Sequence, residues 1–160
     1  MARVYFSMGS NMGNCVENLK KALSLMKEGG IDIQKISPVY ITAPIGYENQ
    51  DDFYNIAVKA ETTLMPFKLL KLCKSIETEL FRIKLIENGP RTIDIDILTY
   101  DTWKIGSEAL TIPHPRITER AFVLYPLYDV AEDAMKKAIE PLLEKVSGQR
   151  IEKLEGEVLN

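Results

Sequence analysis

Alternating and helical patterns of apolar positions predict a regular succession of elements in the first half of the chain. Residues 4–8 form a mostly apolar, β-prone run that predicts a buried strand. Asn14 is a good helix cap, and apolar residues at helical spacing follow it until the glycine pair that begins at Gly29. Residues 31–40 and 53–62 each have the pattern of a strand.

The second half continues with a helix, a strand and a polar helical end. Pro66 suits the first turn of a second helix, and residues 92–100 predict another strand. A short hairpin is predicted over 103–112, a helical turn over 118–121, and a C-terminal helical part that includes 138–146. The order strand, helix, strand, strand, helix, strand predicts an α+β fold with a ferredoxin-like βαββαβ core, extra strands and a C-terminal helical part.

Composition narrows the class of protein without selecting a function. A chain of 160 residues with 46% apolar and 27% charged residues predicts a single globular domain over 1–160. The net charge of −3 argues against a nucleic-acid partner. No apolar run approaches the roughly 18 residues of a membrane span, so no membrane partner is expected. Cys15 and Cys73 lie far apart, which favours a reduced, cytoplasmic setting over a disulfide framework.

The strongest chemical signal is a pair of aspartates on the strand predicted at 92–100. Side chains alternate along a strand, so Asp94 and Asp96 share one face while Ile95 points to the other. Their Cα atoms would lie about 6.6 Å apart. Two carboxylates this close repel each other unless a cation lies between them, and their hard oxygen atoms suit magnesium. The alternative is that both aspartates only face solvent on an edge strand.

Cations near this pair favour a site for phosphoryl transfer. Arg91 precedes the aspartates, and Arg82 and Lys84 lie in the preceding polar loop. Such a site needs metal ligands and cations that contact phosphate oxygens. His114, held between two prolines, begins a second cationic cluster that includes Arg120. A lone histidine is also compatible with a purely structural role.

A third cluster follows the polar loop at 43–52. Phe53 and Asn55 project to the same side of a strand, where they offer an aromatic surface and an amide with a donor and an acceptor. A flat heteroaromatic ligand needs both features, although Phe53 alone is also compatible with an ordinary core residue. The glycine-rich segment at 9–13 lacks the lysine of a Walker loop and is interpreted as a tight structural turn.

These motifs, taken in order, resemble the 6-hydroxymethyl-7,8-dihydropterin pyrophosphokinase family. The resemblance runs from Tyr5 to about Asp129, and its most specific runs are Pro-Arg-Thr-Ile-Asp-Ile-Asp and Pro-His-Pro-Arg. The matching segments are 9–13, 37–44, 53–55, 89–96, 112–116 and 120–124. The chain departs from the family pattern at Lys84, Glu87 and Asn88, where relatives commonly carry arginine, a basic residue and tryptophan.

The resemblance implies roles for particular residues. Asp94 and Asp96 would be the metal ligands, and with Arg82 and Arg91 they would form the catalytic group. The implied ATP-binding residues are Arg82, Lys84, Arg91, Ile97, Thr111, His114 and Arg120. The implied pterin-binding residues are Thr42, Pro44, Ile45, Gly46, Phe53, Asn55 and Phe122, with Phe53 and Phe122 on the two sides of the ring. Glu77 matches a family position and is given a supporting role.

The implied reaction is transfer of the diphosphate of ATP to the pterin hydroxymethyl group, with two Mg²⁺ ions and AMP as the leaving product. Asp96 or metal-bound solvent would accept the proton. The expected partners are these small substrates, with no obligate protein partner. Three other classes stay open: a ferredoxin-like nucleotide-binding module without catalysis, a metal-dependent phosphohydrolase, and an RNA-binding module, against which the acidic balance argues.

Overall fold

A computed structural model describes residues 1–44, 49–80, 92–156 and 159 of the chain. The strands are β1 (Ala2–Ser10), β2 (Ile31–Ile36), β3 (Tyr40–Thr42), β4 (Phe53–Thr62), β5 (Asp94–Tyr100), β6 (Ile105–Gly106), β7 (Thr111–Ile112) and β8 (Ile151–Lys153). The helices are α1 (Cys15–Glu28), α2 (Pro66–Glu79), α3 (Ala121–Val130) and α4 (Asp133–Lys145), and a 3₁₀ turn spans Ile117–Glu119. Within these ranges, no helix is long and apolar enough to cross a membrane.

The main sheet has the ferredoxin-like arrangement that the element order predicts. Its strand order is β5-β1-β4-β3-β8, β2 also pairs with β4, and the pairs are antiparallel. β6 and β7 form the separate hairpin predicted over 103–112. The predicted α+β class is therefore confirmed.

The first helix forms where the sequence predicts it. The Asn14 side-chain oxygen accepts a hydrogen bond of 3.1 Å from the backbone N–H of Glu17, which satisfies one free donor of the first turn. At the other end, a Cβ atom at Gly29 would lie 2.6 Å from a methyl carbon of Leu72 on α2. Gly29 therefore ends α1 and also allows the two helices to approach closely.

The prediction of one strand over 31–40 is wrong, because the chain forms two strands with a break between them. Pro38 has no N–H to donate to a ladder. At the break, Ser37 replaces regular pairing: its hydroxyl accepts from the N–H of Ala57 at 2.9 Å, and its own N–H donates to the Ala57 carbonyl at 2.9 Å. β2 and β3 consequently pair with different parts of β4.

The C-terminal part is helical, as the sequence predicts. α4 starts at Asp133, continues through Pro141 and ends at Lys145, so it contains nearly all of the predicted range 138–146. The helical turn expected over 118–121 is the 3₁₀ turn at Ile117–Glu119, and α3 follows directly at Ala121.

The sheet has two differently covered faces. α1 and α2 lie against one face, whose core includes Phe6, Met8, Ile56, Val58, Ile93, Ile95 and Ile97. α3 and α4 lie against the other face over Tyr5, Ala57 and Leu98. A register shift between β1 and β5 beside Leu98 ends the simple alternation there. The remainder of the second face, toward Gly9, is left for a cavity.

Candidate functional site

The floor of the cavity is a row of residues directly opposite one another on neighbouring strands. Gly9 on β1 faces Asn55 on β4 on one side and Asp94 on β5 on the other. In the adjacent row, Ser7 faces Asp96. The sheet therefore brings an amide and two carboxylates onto one surface, separated by the smallest residue.

The amide of Asn55 is held in a fixed orientation at this floor. Asn55 is only 2% exposed, and its Nδ2 donates a hydrogen bond of 2.8 Å to Oγ1 of Thr42 on β3. A Cβ atom at Gly9 would lie 2.8 Å from Oδ1 of Asn55. Glycine at position 9 is therefore what allows the Asn55 amide to occupy this position.

Two aromatic rings line the same cavity from different elements. Phe53 is the first residue of β4, and Phe122 lies in the first turn of α3. The guanidinium carbon of Arg120 lies 5.3 Å from the centre of the Phe122 ring, a cation–π arrangement. This end of the cavity provides aromatic surfaces beside the polar floor.

Asp94 and Asp96 also line the cavity, which confirms that they share a face. Burial, and then the charges of Asp94 and Glu77, raise the pKa of Asp96 from 3.8 to about 7, against the opposing effect of Lys74 and Arg120. A buried carboxyl group whose ionisation is disfavoured by neighbouring carboxylates is stabilised in its ionised form by a bound cation. The pair is therefore not simply solvated, although β5 is an edge strand.

Glu77 supports the aspartate pair from α2. Its side chain is 1% exposed, and its Oε2 accepts a hydrogen bond of 2.8 Å from the backbone N–H of Ile95. Oε1 of Glu77 lies 3.5 Å from Nζ of Lys74. The buried carboxylate thus holds the residue that separates Asp94 from Asp96.

Two arginines form a cationic wall of the same cavity. Arg116 and Arg120 line the cavity, and burial, followed by the charge of Arg116, lowers the pKa of Arg120. The N–H of His114 donates to the Leu98 carbonyl at 2.9 Å, while its Nδ1 accepts from the N–H of Arg116 at 3.2 Å. Burial and the nearby Arg120 charge lower the pKa of His114, against the opposing effect of Asp94.

The cavity brings together Thr42, Phe53, Asn55, Asp94, Asp96, Arg120 and Phe122 from the predicted set. Pro44 lines an adjoining groove beside Phe122. Ile97 points to the opposite face and is buried in the core, and Thr111 lies exposed on β7, so the ATP contacts predicted for both stay predictions. Five predicted residues lie outside the described part of the chain: Ile45, Gly46, Arg82, Lys84 and Arg91.

The sequence interpretation missed two floor residues. Residues 9–13 are not simply a turn, because Gly9 continues β1 and forms the floor with Ser7. The sequence does contain a signal for them. The small residues Ser7 and Gly9 alternate along β1 with Phe6 and Met8, whose side chains lie on the core face. Small residues on one face of a buried strand indicate an approaching ligand or backbone.

The fold and this cavity define a class of protein: an α+β domain whose sheet carries a cavity lined by two aromatic rings next to a carboxylate pair. The family model described as 7,8-dihydro-6-hydroxymethylpterin-pyrophosphokinase (HPPK) matches residues 5–132. The chain therefore belongs to the 7,8-dihydro-6-hydroxymethylpterin-pyrophosphokinase family.

Similar proteins include single-function and fused chains. The 2-amino-4-hydroxy-6-hydroxymethyldihydropteridine pyrophosphokinase of Bacillus subtilis is 42% identical over 135 residues, which cover 84% of this chain and 81% of that one. A mitochondrial folate synthesis bifunctional protein of Arabidopsis thaliana is 45% identical over 132 residues, 82% of this chain but 24% of its own length. The crystal structure of Plasmodium falciparum HPPK-DHPS with pterin and p-hydroxybenzoate superposes with a TM-score of 0.70. The two chains are 17% identical, and the match covers 98% of this chain and 49% of the other. At this identity, the similarity concerns the fold alone.

Proposed function

We propose that the protein transfers the diphosphate of ATP to the hydroxymethyl group of 6-hydroxymethyl-7,8-dihydropterin, giving the pterin diphosphate and AMP in folate biosynthesis. The observation that carries the proposal is one cavity lined by the Phe53 and Phe122 rings, the Asn55 amide and the Asp94 and Asp96 carboxylates. Relatives named for this pyrophosphokinase reaction cover most of the chain.

The pterin ring binds between Phe53 and Phe122 in this proposal. Flat aromatic rings stack favourably, but stacking discriminates little between one flat ring and another. Hydrogen bonds must therefore select the ligand. Asn55 supplies that selection because its amide has both a donor and an acceptor and is held by Thr42. Pro44, Ile45 and Gly46 are proposed as further pterin contacts from the sequence resemblance.

The triphosphate of ATP lies along the cationic wall in this proposal. Arg116 and Arg120 line the cavity, and their planar guanidinium groups suit phosphate oxygens. His114 is placed beside them by its hydrogen bonds to Leu98 and Arg116. Additional ATP contacts proposed from the sequence alone are Arg82, Lys84, Arg91, Ile97 and Thr111.

The carboxylate pair fits two Mg²⁺ ions, which the reaction is proposed to require. Asp94 and Asp96 offer hard oxygen donors on one face, and magnesium is commonly held by one or two carboxylates together with substrate phosphates. Among the described residues, no group of three or more His, Cys, Asp or Glu side chains forms a self-sufficient metal cage. Bound Mg²⁺ would neutralise the triphosphate and orient it for in-line attack.

The chemical step needs no nucleophile from the protein. The pterin hydroxyl oxygen forms a bond to the β-phosphorus while the bond from that phosphorus to the α–β bridging oxygen breaks, and this oxygen leaves with AMP. The hydroxyl proton passes to Asp96 or to solvent. The ring walls and Asn55 hold the alcohol, and Arg120 stabilises the charge that develops on the leaving phosphate. Placement of both substrates in a cavity away from bulk water favours transfer over hydrolysis of ATP.

The test is a coupled assay for AMP with ATP, Mg²⁺ and 6-hydroxymethyl-7,8-dihydropterin. AMP formed only when all components are present would support the proposal. ADP would mean transfer of a single phosphate, and AMP or phosphate without pterin would mean a phosphohydrolase. Folded protein that gives no nucleotide product would favour a binding module.

A cytoplasmic location and a single domain over 1–160 stay predictions from the sequence. The thiols of Cys15 and Cys73 are both free, as a reducing compartment requires. Separation of cell fractions followed by the AMP assay would test the location.

A further inference from the structure

Gln149, between α4 and β8, forms hydrogen bonds to the backbone on both sides of Arg120, a residue of the cationic wall. Its Oε1 accepts a hydrogen bond of 2.9 Å from the backbone N–H of Ala121, and its Nε2 donates one of 2.8 Å to the carbonyl of Glu119. Glu119 and Ala121 flank Arg120, and Phe122 follows directly. One amide side chain therefore fixes the backbone that presents both Arg120 and Phe122 to the cavity.

The reason for this arrangement lies at the start of α3. The first N–H groups of a helix have no partner within the helix and are usually satisfied by a side-chain oxygen at the N-cap. In α3 the N-cap residue is Arg120, and a guanidinium has donors but no acceptor. Gln149 supplies the missing oxygen from 28 residues away. Position 120 is thereby free to carry a cation into the cavity.

Arg150, the next residue, makes a similar contact beside Phe53, the other aromatic residue of the cavity. Nη2 of Arg150 lies 2.9 Å from Oδ2 of Asp52, which directly precedes Phe53. Gln149 thus holds Ala121, the residue before Phe122. Arg150 holds Asp52, the residue before Phe53. Both lie beyond residue 132, where the family match ends.

We propose that Gln149 is a positioning residue that, together with Arg150, sets the spacing between the Phe53 and Phe122 rings and so the affinity for the flat ring ligand. Neither side chain lines the ring cavity itself, although both line the adjoining groove beside Phe122. Their contacts to the elements that carry the rings are to the backbone of Glu119 and Ala121 and to the side chain of Asp52. The proposal rests on the proposed function for the identity of the ligand. Its basis in the structure is the pair of contacts to Ala121 and Asp52.

The experiment compares two substitutions with two matched controls. Gln149→Met keeps the length of the side chain but removes both hydrogen bonds, whereas Gln149→Glu keeps an acceptor for the Ala121 N–H. Gln34→Met changes the same residue type on exposed β2. Arg150→Met removes the contact to Asp52, and Arg3→Met removes an ion pair of equal length, 2.9 Å to Glu132, away from the cavity. Thermal melts confirm that each variant is folded at the assay temperature.

Two quantities are measured: the Kd of 6-hydroxymethylpterin from its fluorescence, and KM and kcat for AMP formation at saturating ATP. Gln149→Met should raise Kd and KM about fivefold, because ligand binding is weakened, and should also lower kcat, because the same backbone carries Arg120. For Gln149→Glu, both Kd and KM should stay within about twofold of the wild-type values. Arg150→Met should raise Kd about threefold, and both controls should leave it unchanged.

An unchanged Kd in Gln149→Met, or an equal loss in Gln149→Glu, would overturn the proposal, because the effect would not follow the acceptor. If Gln149→Met does not fold, the test rests on Arg150→Met. A Kd for Arg150→Met equal to that of Arg3→Met would then overturn the proposal. A wild type that binds the pterin but forms no AMP would refute the proposed reaction while leaving the Kd comparison valid.

Discussion

The buried carboxylate of Glu77 accepts a hydrogen bond of 2.8 Å from the backbone N–H of Ile95, the residue between the two cavity aspartates. Among the described strands, β5 lies at one edge of the sheet, and an edge strand presents unpaired N–H groups on its outer side. Glu77 covers this edge from α2. Support from the helix side therefore fixes the strand that carries Asp94 and Asp96.

Replacement of Glu77 should destabilise the protein according to the acceptor that remains. Glu77→Leu leaves the Ile95 N–H buried without its partner, and we expect a loss of about 1–3 kcal/mol in the free energy of unfolding. Glu77→Gln keeps an oxygen acceptor and should lose less. Urea unfolding measures both, with Glu79→Gln on the exposed side of α2 as the control. Equal losses in the two Glu77 variants would contradict the role of the hydrogen bond.

Metal-free protein should lose stability as the pH rises from about 4 to about 7. Burial and the charges of Asp94 and Glu77 raise the pKa of Asp96 to about 7 in the folded state, from an ordinary 3.8. The folded state then binds more protons than the unfolded state across this interval, so the free energy of unfolding falls with rising pH. Melting temperatures in EDTA from pH 4 to 8 measure this slope.

Asp96→Asn should remove that slope and raise the melting temperature of the metal-free protein at pH 8. The same substitution, like Asp94→Asn, should lower turnover by orders of magnitude, because a proposed metal ligand is lost. Exposed Asp32→Asn serves as the control for charge alone. A wild-type pH profile in Asp96→Asn, or near-normal turnover in both cavity variants, would remove the assignment.

The two ring walls should differ in what they bind. Phe53→Ala should weaken pterin binding by about 10-fold to 100-fold, the usual value of a stacked ring, with little effect on ATP. Phe122→Ala should weaken both ligands, because the Arg120 guanidinium rests 5.3 Å from the centre of that ring. Titration with each ligand separately measures the difference. Exposed Phe67→Ala is the control, and equal pterin and ATP effects in Phe53→Ala would refute the assignment.

A single methyl group at Gly9 should disturb the Asn55 amide. The Cβ atom of Gly9→Ala would lie 2.8 Å from Oδ1 of Asn55, closer than such contacts occur, so the amide or the strand must move. We expect pterin affinity to fall about tenfold with the melting temperature much less affected. Gly106→Ala, where a Cβ atom meets nothing within 4 Å, is the control. Unchanged pterin affinity would show that the floor tolerates the methyl group.

His114 should titrate below its ordinary pKa of 6.5, because burial and the charge of Arg120 disfavour its cationic form. The neutral form is then preferred in the folded state, so stability contributed by this group is complete above pH 6.5 and is lost as the pH falls through the folded-state pKa. The chain has one histidine, so its imidazole signals can be followed by NMR without ambiguity. A pKa at or above 6.5 in the free protein would contradict the effect expected from burial and from Arg120.

Strict local patterns made much of the fold and site predictable. Ile93 and Ile95 alternate with Asp94 and Asp96, and this period alone placed two residues in the core and two in the cavity. Asn14 and Gly29 marked both ends of α1 because capping depends on neighbouring residues. Such signals require only the local chain.

Features that depend on distant residues were not predictable. Pro38 is a local sign of a break, but the pairing of Ser37 with Ala57 that replaces the ladder there is visible only in the folded sheet. Gly9 has the local pattern of a turn because the reason for glycine there is the Asn55 side chain on another strand. Gln149 resembles any polar residue in a loop until its contact to Ala121 is known.

The half-covered face of the sheet has a consequence for the entropy of ligand binding. Ser7 and Asn55 belong to strands with paired neighbours on both sides, so the floor is already ordered before a ligand arrives. The Arg120 backbone is likewise held by Gln149, but its long side chain has rotamers to lose when a ligand is bound. Hydrogen bonds from the floor therefore cost the protein almost no conformational entropy, whereas a contact from the Arg120 side chain contributes only what remains after its own ordering.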